Sequence, residues 1–160
     1  MQVTIVDESG NAIGSAKEED IYALKLSHRV MHILAVNEKG ELFLPQLSAL
    51  EKFCPGHWCT SAHGIVREGE SFEDAAKREL KDWLGLDVPL TLVHEGTYDH
   101  YKLRKFVQVF RCNTNNILLN PYKAITGKWF SIKDANGTAK SSRSDRILSE
   151  VIRPFSIFIH

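Results

Sequence analysis

The sequence lacks long apolar runs, and it lacks an excess of charge of either sign. No stretch approaches the ~18 consecutive apolar residues that a membrane-spanning helix requires, so we expect no membrane segment. Twenty basic side chains balance twenty acidic ones, and the formal net charge is zero. This balance argues against a polycation built to hold nucleic acid, because binding to phosphates depends on a surplus of positive charge. The 160 residues suffice for one domain, which we expect to span residues 1–160.

Cysteine is scarce, and its count is odd. Cys54, Cys59 and Cys112 cannot all pair within one chain, so we interpret them as reduced thiols of a cytoplasmic protein. The amino terminus also lacks the basic and apolar segments of a secretory signal peptide, which leads to the same expectation. A zinc site made of Cys54, Cys59 and His63 is disfavoured, because a structural zinc site needs four ligands at a characteristic spacing.

Alternating segments rich in β-branched residues predict a sheet. The expected strands are 3–6, 12–14, 29–37, 41–45, 60–66, 90–93, 96–101, 106–112 and 129–132. The clearest helix is expected over 71–84, where apolar side chains recur every three or four residues. Ser71 is its expected N-terminal cap and Gly85 its expected end. Strands interleaved with helices predict an α/β or α+β domain.

Three further segments carry weaker patterns. A short helix is expected over 17–26, a polar loop over 136–144 and a terminal helix over 146–152. The apolar end of the chain, 154–160, either docks on its own domain or contacts a second copy in a homodimer. We interpret one basic stripe as a solvated helix face, and contact with phosphate is the less favoured alternative. The stripe consists of Lys140, Arg143 and Arg146.

One stretch places chemically informative residues at a regular spacing. Its members are Gly64, Glu70, Arg78, Glu79, Leu80, Asp82, Gly85 and Leu86. Glu79 and Asp82 lie three residues apart on a helix, so their carboxylates share a face. Two close carboxylates without an internal cation partner can hold a hard divalent cation, most plausibly Mg²⁺ or Mn²⁺. Such a cation neutralises a diphosphate and activates a water molecule for attack on phosphorus.

The remaining charged residues of the stretch suggest a structural role. Arg78 can pair with Glu70 and brace the preceding loop against the helix. Two acids three residues apart are common on the solvated face of a helix and would not by themselves indicate a metal site. The metal-site interpretation therefore depends on the full set of spaced residues.

This stretch resembles the Nudix box, a spaced pattern of glycine, glutamate, arginine and further acids. Seven of its nine specified positions match, Asp82 is a conservative replacement, and Trp83 stands where the family has a glutamate. The resemblance implies an α/β/α sandwich with a mixed sheet and a loop-helix-loop motif. It also implies a Mg²⁺-dependent hydrolase of a diphosphate linkage in a nucleoside diphosphate derivative. Glu79 and Asp82 would then be catalytic metal ligands, with Glu70 as a further ligand, while Gly64, Arg78 and Gly85 position the motif.

Two departures from the family pattern leave an alternative open. Trp83 cannot bind a metal, and residues 112–132 contain no aspartate or glutamate, where some Nudix enzymes supply a late acid. The chain could instead be a catalytically impaired module with the Nudix fold that binds a nucleotide, a diphosphate or a protein partner. His63 adjoins the motif and is a candidate for contact with the substrate.

Other segments resemble the Nudix branch related to isopentenyl diphosphate isomerase. The matching residues lie in 6–14, 37–42 and 55–58, and His28 matches one metal-binding histidine of the isomerases. Isomerase activity is not expected, because those enzymes begin the box with Cys-Gly-His whereas this chain has His63-Gly64-Ile65. Their paired glutamates on a later strand are replaced by Leu103 and Lys105.

Several side chains have both a structural and a functional interpretation. His28 and His32 are expected to be buried and hydrogen-bonded. Trp58, Tyr98 and Tyr101 could stack on a base, although aromatic side chains in a domain of this size are usually core residues.

Overall fold

The fold is a mixed sheet whose central strand is buried on both faces. The computed structural model describes residues 1–51, 54–100 and 102–139. Its strands are β1 Gln2–Val6, β2 Ala12–Lys17, β3 His28–Val36, β4 Leu42–Gln46, β5 Ala62–Ile65, β6 Thr91–His100, β7 Leu103–Asn113 and β8 Thr126–Phe130. Its α-helices are α1 Phe72–Leu84 and α2 Ile132–Ala139, and a 3-10 turn spans Glu18–Asp20. The segments at 146–152 and 154–160, the stripe that begins at Lys140, and Tyr101 lie outside the described residues.

Strand β3 organises the sheet. It pairs antiparallel with β1, β4 and β5 and parallel with β7, in a register that runs from His28–Lys105 to Val36–Asn113. Five strands follow one another in the hydrogen-bonded order β2-β1-β3-β4-β8. Outside this path β7 pairs with β3, and β6 pairs with β7 and so extends the sheet. All of β3 except Arg29 is buried, as expected for a strand with parallel neighbours and covered faces.

The two faces of β3 face separate apolar clusters. Met31, Ile33 and Ala35 pack with the buried side of α1, whereas Val30 and Leu34 lie in a second cluster on the other face. The second cluster includes Ala135 of α2. Because side chains alternate between faces along a strand, the sheet is sandwiched between the helices, and the predicted α/β/α sandwich is confirmed.

Helix α1 follows from its local sequence. The Ser71 hydroxyl accepts a hydrogen bond from the Asp74 amide, and the Asp74 carboxylate accepts one from the Ser71 amide, which completes a capping box. Gly85 ends the helix in a left-handed conformation, with φ of 66°. Leu80 and Trp83 are buried on its inner face, as predicted.

Several predicted boundaries are wrong. The helix expected over 17–26 is absent: Lys17 belongs to β2, the Glu18–Asp20 turn follows, and Lys25 has φ of 53°, which no α-helix allows. The expected loop over 136–144 is helical up to Ala139.

Helix α2 is indicated by an N-terminal cap, which the sequence analysis does not predict. The Ser131 hydroxyl accepts a hydrogen bond from the Asp134 amide, and Ala135 anchors the helix in the core. For the same reason the strand expected over 129–132 ends at Phe130. The two strands expected over 90–93 and 96–101 form a single strand, β6, with an irregularity between Leu92 and His94.

No helix among the described residues is long and apolar enough to cross a membrane.

The close contact between Gly127 of β8 and the Phe43 ring of β4 allows the packing of the outer strand to be tested. A Cβ atom there would collide with the buried ring of Phe43, so we expect Gly127→Ala to lower the free energy of unfolding by about 1–3 kcal/mol. Urea unfolding measures the change. Gly14→Ala is the matched strand control, because its Cβ would meet nothing within 4 Å, and equal destabilisation of both variants would contradict the packing described here.

Candidate active site

A cleft of about 920 Å³ joins the motif to the face of the sheet that lies away from α1. Its lining includes residues of β3, β5 and β7, and β5 pairs with β3 among the described strands. Side chains from both parts line it, among them Tyr22, His32, His63, Arg78, Glu79, Trp83, Tyr98, Lys105 and Lys123. The fold thus brings the motif residues to one end of a groove that also runs over the sheet.

Glu79 is the buried acid of this cleft. Its side chain is 8% exposed, and one carboxylate oxygen, Oε1, accepts a hydrogen bond from Arg78. The other oxygen, Oε2, is buried and has no hydrogen-bond partner among the described residues. A Cβ atom at Gly64 would lie 2.5 Å from the Glu79 carboxyl carbon, so a larger residue at this position would displace the Glu79 carboxylate. The buried oxygen is an acceptor that a ligand, a cation or a proton can satisfy.

Arg78 forms the predicted ion pair with Glu70, and this Glu70–Arg78 brace holds the loop against the helix. Its Nε donates to Glu70 Oε2 at 2.8 Å, and its Nη2 donates to Glu70 Oε1 at 2.9 Å and to the Ile65 carbonyl at 3.0 Å. Hydrogen bonds from Arg78 lower the pKa of Glu70, and the same contacts raise the pKa of Arg78. Glu70 Oε1 also accepts from the Arg67 amide at 2.8 Å. These contacts support a role for Glu70 in holding the loop.

Asp82 is not among the residues that line the cleft, and it has its own cation, Lys123, which does line the cleft. The Asp82 side chain is 49% exposed, and Lys123 Nζ lies 3.1 Å from its carboxylate. The side-chain amide of Asn120 donates to the Asp82 backbone carbonyl at 3.0 Å, which links α1 to the segment before β8. The expectation that the two acids lack an internal cation partner is therefore wrong, because Arg78 accompanies Glu79 and Lys123 accompanies Asp82.

Trp83 is a structural residue at the edge of the cleft. It is 4% exposed, its indole N–H donates to the His63 carbonyl at 3.0 Å, and its ring lies 4.8 Å from the His63 ring. Lys123 Nζ lies 5.7 Å from the centroid of the indole ring. At the position where the Nudix box has a glutamate, this chain has a tryptophan whose hydrogen bond to His63 joins α1 to β5.

The donor set determines which metal site these residues can form. Across residues 1–51, 54–100 and 102–139, no group of three or more acidic, histidine or cysteine side chains could hold a metal ion. Mg²⁺, however, keeps several waters and often uses one or two carboxylates together with the phosphates of its substrate. The buried Glu79 Oε2 fits that kind of shared site. The residues therefore fit a cation that arrives with a phosphate ligand, and they do not form a multi-carboxylate centre.

His32 lies on the sheet face of the cleft. His32 is 4% exposed, and its Nδ1 lies 2.8 Å from the Thr60 hydroxyl oxygen, which in turn donates to the Ala62 carbonyl. Burial holds the pKa of His32 well below its ordinary value, and the nearby His63 and Lys105 act in the same direction. The predicted burial of His28 and His32 is confirmed.

Two lysines that line the cleft, Lys105 and Lys123, are not indicated as site residues by the sequence pattern. Lys105 stands out in the sequence only as the replacement of a family glutamate, and Lys123 belongs to no motif. Their positions depend on strand pairing and on the return of the chain to α1, so no local spacing could have indicated them. Trp58 is half-buried and packs against the second apolar cluster, with its ring 5.2 Å from that of Phe130.

Comparison with known proteins shows the family to which the sequence is similar. The sequence model described as the NUDIX domain matches residues 26–151. An isopentenyl-diphosphate Delta-isomerase 2 of Photorhabdus laumondii is 36% identical over 96 residues, which cover 60% of this chain and 54% of that protein. An uncharacterized Nudix hydrolase of Nostoc sp. is 36% identical over 110 residues, which cover 66% and 65% of the two chains. The matches thus span between about half and two thirds of the length of these relatives.

Solved structures show the same fold. The crystal structure of DR0079 from Deinococcus radiodurans has a TM-score of 0.82 at 22% identity, covering 96% of this chain and 98% of that one. A binary complex of an Ap4A hydrolase from C. elegans has a TM-score of 0.62 at 22% identity, covering 82% and 97%. At this level of identity the likeness concerns the fold alone.

The Glu70–Arg78 brace predicts a specific dependence of stability on pH. The folded-state pKa of Glu70 lies below its ordinary value of 4.5, so its contribution is present above that value and is lost as the pH falls through the folded pKa. We expect Glu70→Gln to lower the free energy of unfolding by about 1–3 kcal/mol near neutral pH. The difference from wild type should shrink in acid.

Urea unfolding across the acid range measures this difference. Glu73→Gln is the matched control on α1, because Glu73 makes an exposed pair with Lys77 and should change stability by less than about 1 kcal/mol. A difference between wild type and Glu70→Gln that is independent of pH would contradict the brace.

Proposed function

Because this chain belongs to the Nudix family, whose sequence model matches residues 26–151, we propose that it hydrolyses the diphosphate linkage of a nucleoside diphosphate derivative in the described cleft. The observation that carries the proposal is the buried Glu79 Oε2, which has no hydrogen-bond partner in the described part of the chain and lies at the end of a groove large enough for a small molecule. The proposed cofactor is Mg²⁺ or Mn²⁺.

The reduced state expected of the thiols favours a cytoplasmic location, and burial raises the pKa of Cys112 to about 11, which keeps that thiol protonated.

Glu79 is the proposed ligand and general base. When bound beside Glu79, with Asp82 as the second ligand, the cation would supply charge neutralisation for the phosphates. Glu79 Oε2 would accept the proton of the attacking water, since a carboxylate within hydrogen-bond reach of a reacting water can serve as a base. Arg78 holds the other oxygen of Glu79 and thereby fixes the direction in which Oε2 points.

The loop before α1 positions this acid. Arg78 joins Glu70 and the Ile65 carbonyl to the helix, so the backbone around Gly64 stays against the Glu79 carboxylate. This contact shields one side of the carboxylate from water, which strengthens its electrostatic interactions. We therefore assign Glu70, Arg78 and Gly64 to positioning rather than to contact with the reacting atoms.

A second candidate function is supported by the pairing of Asp82. With Lys123 beside Asp82 and Trp83 in place of a glutamate, the chain could bind a nucleotide or diphosphate ligand without hydrolysing it. Binding would then stabilise the folded state by mass action, with no turnover of any substrate.

A substrate panel separates the two functions. Wild type is assayed with nucleoside di- and triphosphates, ADP-ribose and dinucleotides, with and without Mg²⁺. We expect Mg²⁺-dependent turnover of at least one compound and a loss of about 10²- to 10⁴-fold in Glu79→Gln, because that variant cannot accept the proton. Glu73→Gln, an exposed acid on the same helix, should retain wild-type activity.

The outcomes of this panel are distinct. Thermal stabilisation by a nucleotide without turnover of any compound would support the binding module and overturn the hydrolase. Equal turnover in wild type and Glu79→Gln would show that the reaction does not use this carboxylate.

The Lys123–Asp82 pair predicts how metal affinity can be changed. Lys123→Met removes the ammonium group that competes for Asp82, so we expect Mn²⁺ to bind about three- to tenfold more tightly, the equivalent of roughly 1 kcal/mol. Electron paramagnetic resonance of free Mn²⁺ measures this affinity. Lys77→Met is the control, since Lys77 pairs with Glu73 away from the cleft. Unchanged affinity in Lys123→Met would remove Asp82 from the proposed ligands.

A further inference from the structure

We propose that His32 helps to determine which ligand the cleft binds, because its Nε2 accepts a hydrogen bond from a hydroxyl group of the ligand's sugar. The proposal rests on the proposed function in one respect, since it takes this cleft to be the ligand site. It adds a selection for ribonucleotides over deoxyribonucleotides, made by a residue of the central strand that lies outside the motif.

The hydrogen bond to Thr60 decides which nitrogen of His32 carries the proton. The Thr60 hydroxyl donates its one hydrogen to the Ala62 carbonyl at 3.2 Å, and a carbonyl can only accept. The same hydroxyl oxygen lies 2.8 Å from His32 Nδ1, so Nδ1 supplies the hydrogen of that contact. A neutral imidazole has a single N–H, and Nε2 therefore bears a lone pair.

Burial keeps the His32 ring in this neutral form. The residue is 4% exposed, and its burial holds the pKa well below its ordinary value of 6.5. The nearby His63 and Lys105 act in the same direction. The ring is therefore uncharged at physiological pH, and Nε2 acts as a hydrogen-bond acceptor rather than as a cationic donor.

Nε2 is the polar atom that His32 offers to the cleft, which the residue lines. Nε2 has no hydrogen-bond partner among the described residues, yet it is not one of the fully enclosed polar atoms in that condition, so the small exposed part of the ring includes it. The His63 ring stacks on it, with 5.6 Å between centroids and 27° between planes. His32 thus presents a fixed, almost buried acceptor to the ligand.

The chemistry of this acceptor excludes a phosphate group as its partner. Phosphate oxygens are acceptors with a negative charge, so a lone pair repels them. The donors of a nucleoside diphosphate are its sugar hydroxyls and the N–H groups of its base. His32 pairs with His63, which directly precedes the glycine that packs against Glu79. The acceptor is therefore close in the strand register to the proposed reaction site, and the sugar is the group that adjoins the diphosphate.

Nitrogen NMR of protein labelled with nitrogen-15 histidine tests the acceptor directly. At neutral pH we expect His32 of wild type to have a protonated Nδ1 and an unprotonated Nε2, with His32→Phe identifying the signals. ADP, added with a chelator, should move the Nε2 resonance toward that of a protonated nitrogen, whereas 2′,3′-dideoxy-ADP should not. A proton on Nε2 in the free protein, or an Nε2 resonance that ADP leaves unchanged, would overturn the proposal.

Metal-free calorimetry measures the selection for the sugar. ADP, UDP and their 2′,3′-dideoxy forms are titrated in the presence of a chelator. We expect wild type to bind the ribonucleotides about 5- to 50-fold more tightly, because the dideoxy forms leave the enclosed acceptor unpaired. In His32→Phe this preference should fall below about threefold. His57→Phe is the matched control, since His57 Nδ1 also bonds a backbone oxygen, that of Pro55 at 2.8 Å, but His57 does not line the cleft.

A second variant covers the case in which His32→Phe does not fold. Thr60→Val keeps the shape of the side chain and removes the oxygen that fixes the proton on Nδ1. We expect part of the Nε2 population to become protonated and the preference for ribonucleotides to fall at least about twofold. Circular dichroism establishes that each variant is folded.

Three results of the calorimetry count against His32. A preference for ribonucleotides that is equally large in wild type, His32→Phe and Thr60→Val would assign the selection to other residues. A preference that appears with only one of the two bases would show that the base, and not the sugar, supplies the donor. The absence of binding of both ribonucleotides to wild type would also overturn the proposal.

These measurements are independent of hydrolysis. They use neither metal nor turnover, so the role of His32 can be established even if no compound of the substrate panel is cleaved. Conversely, turnover that depends on Glu79, together with a sugar preference that ignores His32, would support the hydrolase and reject this inference.

Discussion

The guanidinium group of Arg78 is the interaction on which the site depends. It joins three elements, since it donates to Glu70 in the loop, to the Ile65 carbonyl at the end of β5 and to Glu79 on its own helix. The planar, multiply donating group suits this role, and a lysine could not make the same set of contacts. Because the loop is held in this way, Gly64 can lie directly against the Glu79 carboxylate. One oxygen of that carboxylate remains buried with no hydrogen-bond partner from the residues that the structure describes.

The parts of the fold that the sequence predicts well are those set by local spacing. The capping box at Ser71, the apolar stripe of α1 and the left-handed Gly85 are all encoded within about four turns of chain, so they could be located without any knowledge of the tertiary structure. The Arg78–Glu70 brace is predictable for the same reason, because both residues belong to one contiguous motif. The family and its sandwich follow from this segment as well.

The parts that sequence reasoning missed depend on distant pairings. Lys123 meets Asp82 because the chain returns to α1 before β8, and Lys105 enters the cleft because β7 pairs with β3. The helix expected over 17–26 does not form, because pairing with β1 extends β2 as far as Lys17 and Lys25 has a positive φ of 53°. Tertiary contacts of this kind override local propensity. Short capped helices such as α2 are also easily mistaken for loops, because their polar residues resemble turns.

The indole of Trp83 has a consequence for any attempt to redesign this site. A glutamate at that position would lose the hydrogen bond to the His63 carbonyl and would leave the volume of a large ring unfilled beneath the edge strand. The new carboxylate would also enter a space that is almost closed to solvent. Restoring the acid of the family pattern by one substitution would therefore damage the scaffold before it improved the chemistry, and the surrounding strand and helix would have to be altered together with it.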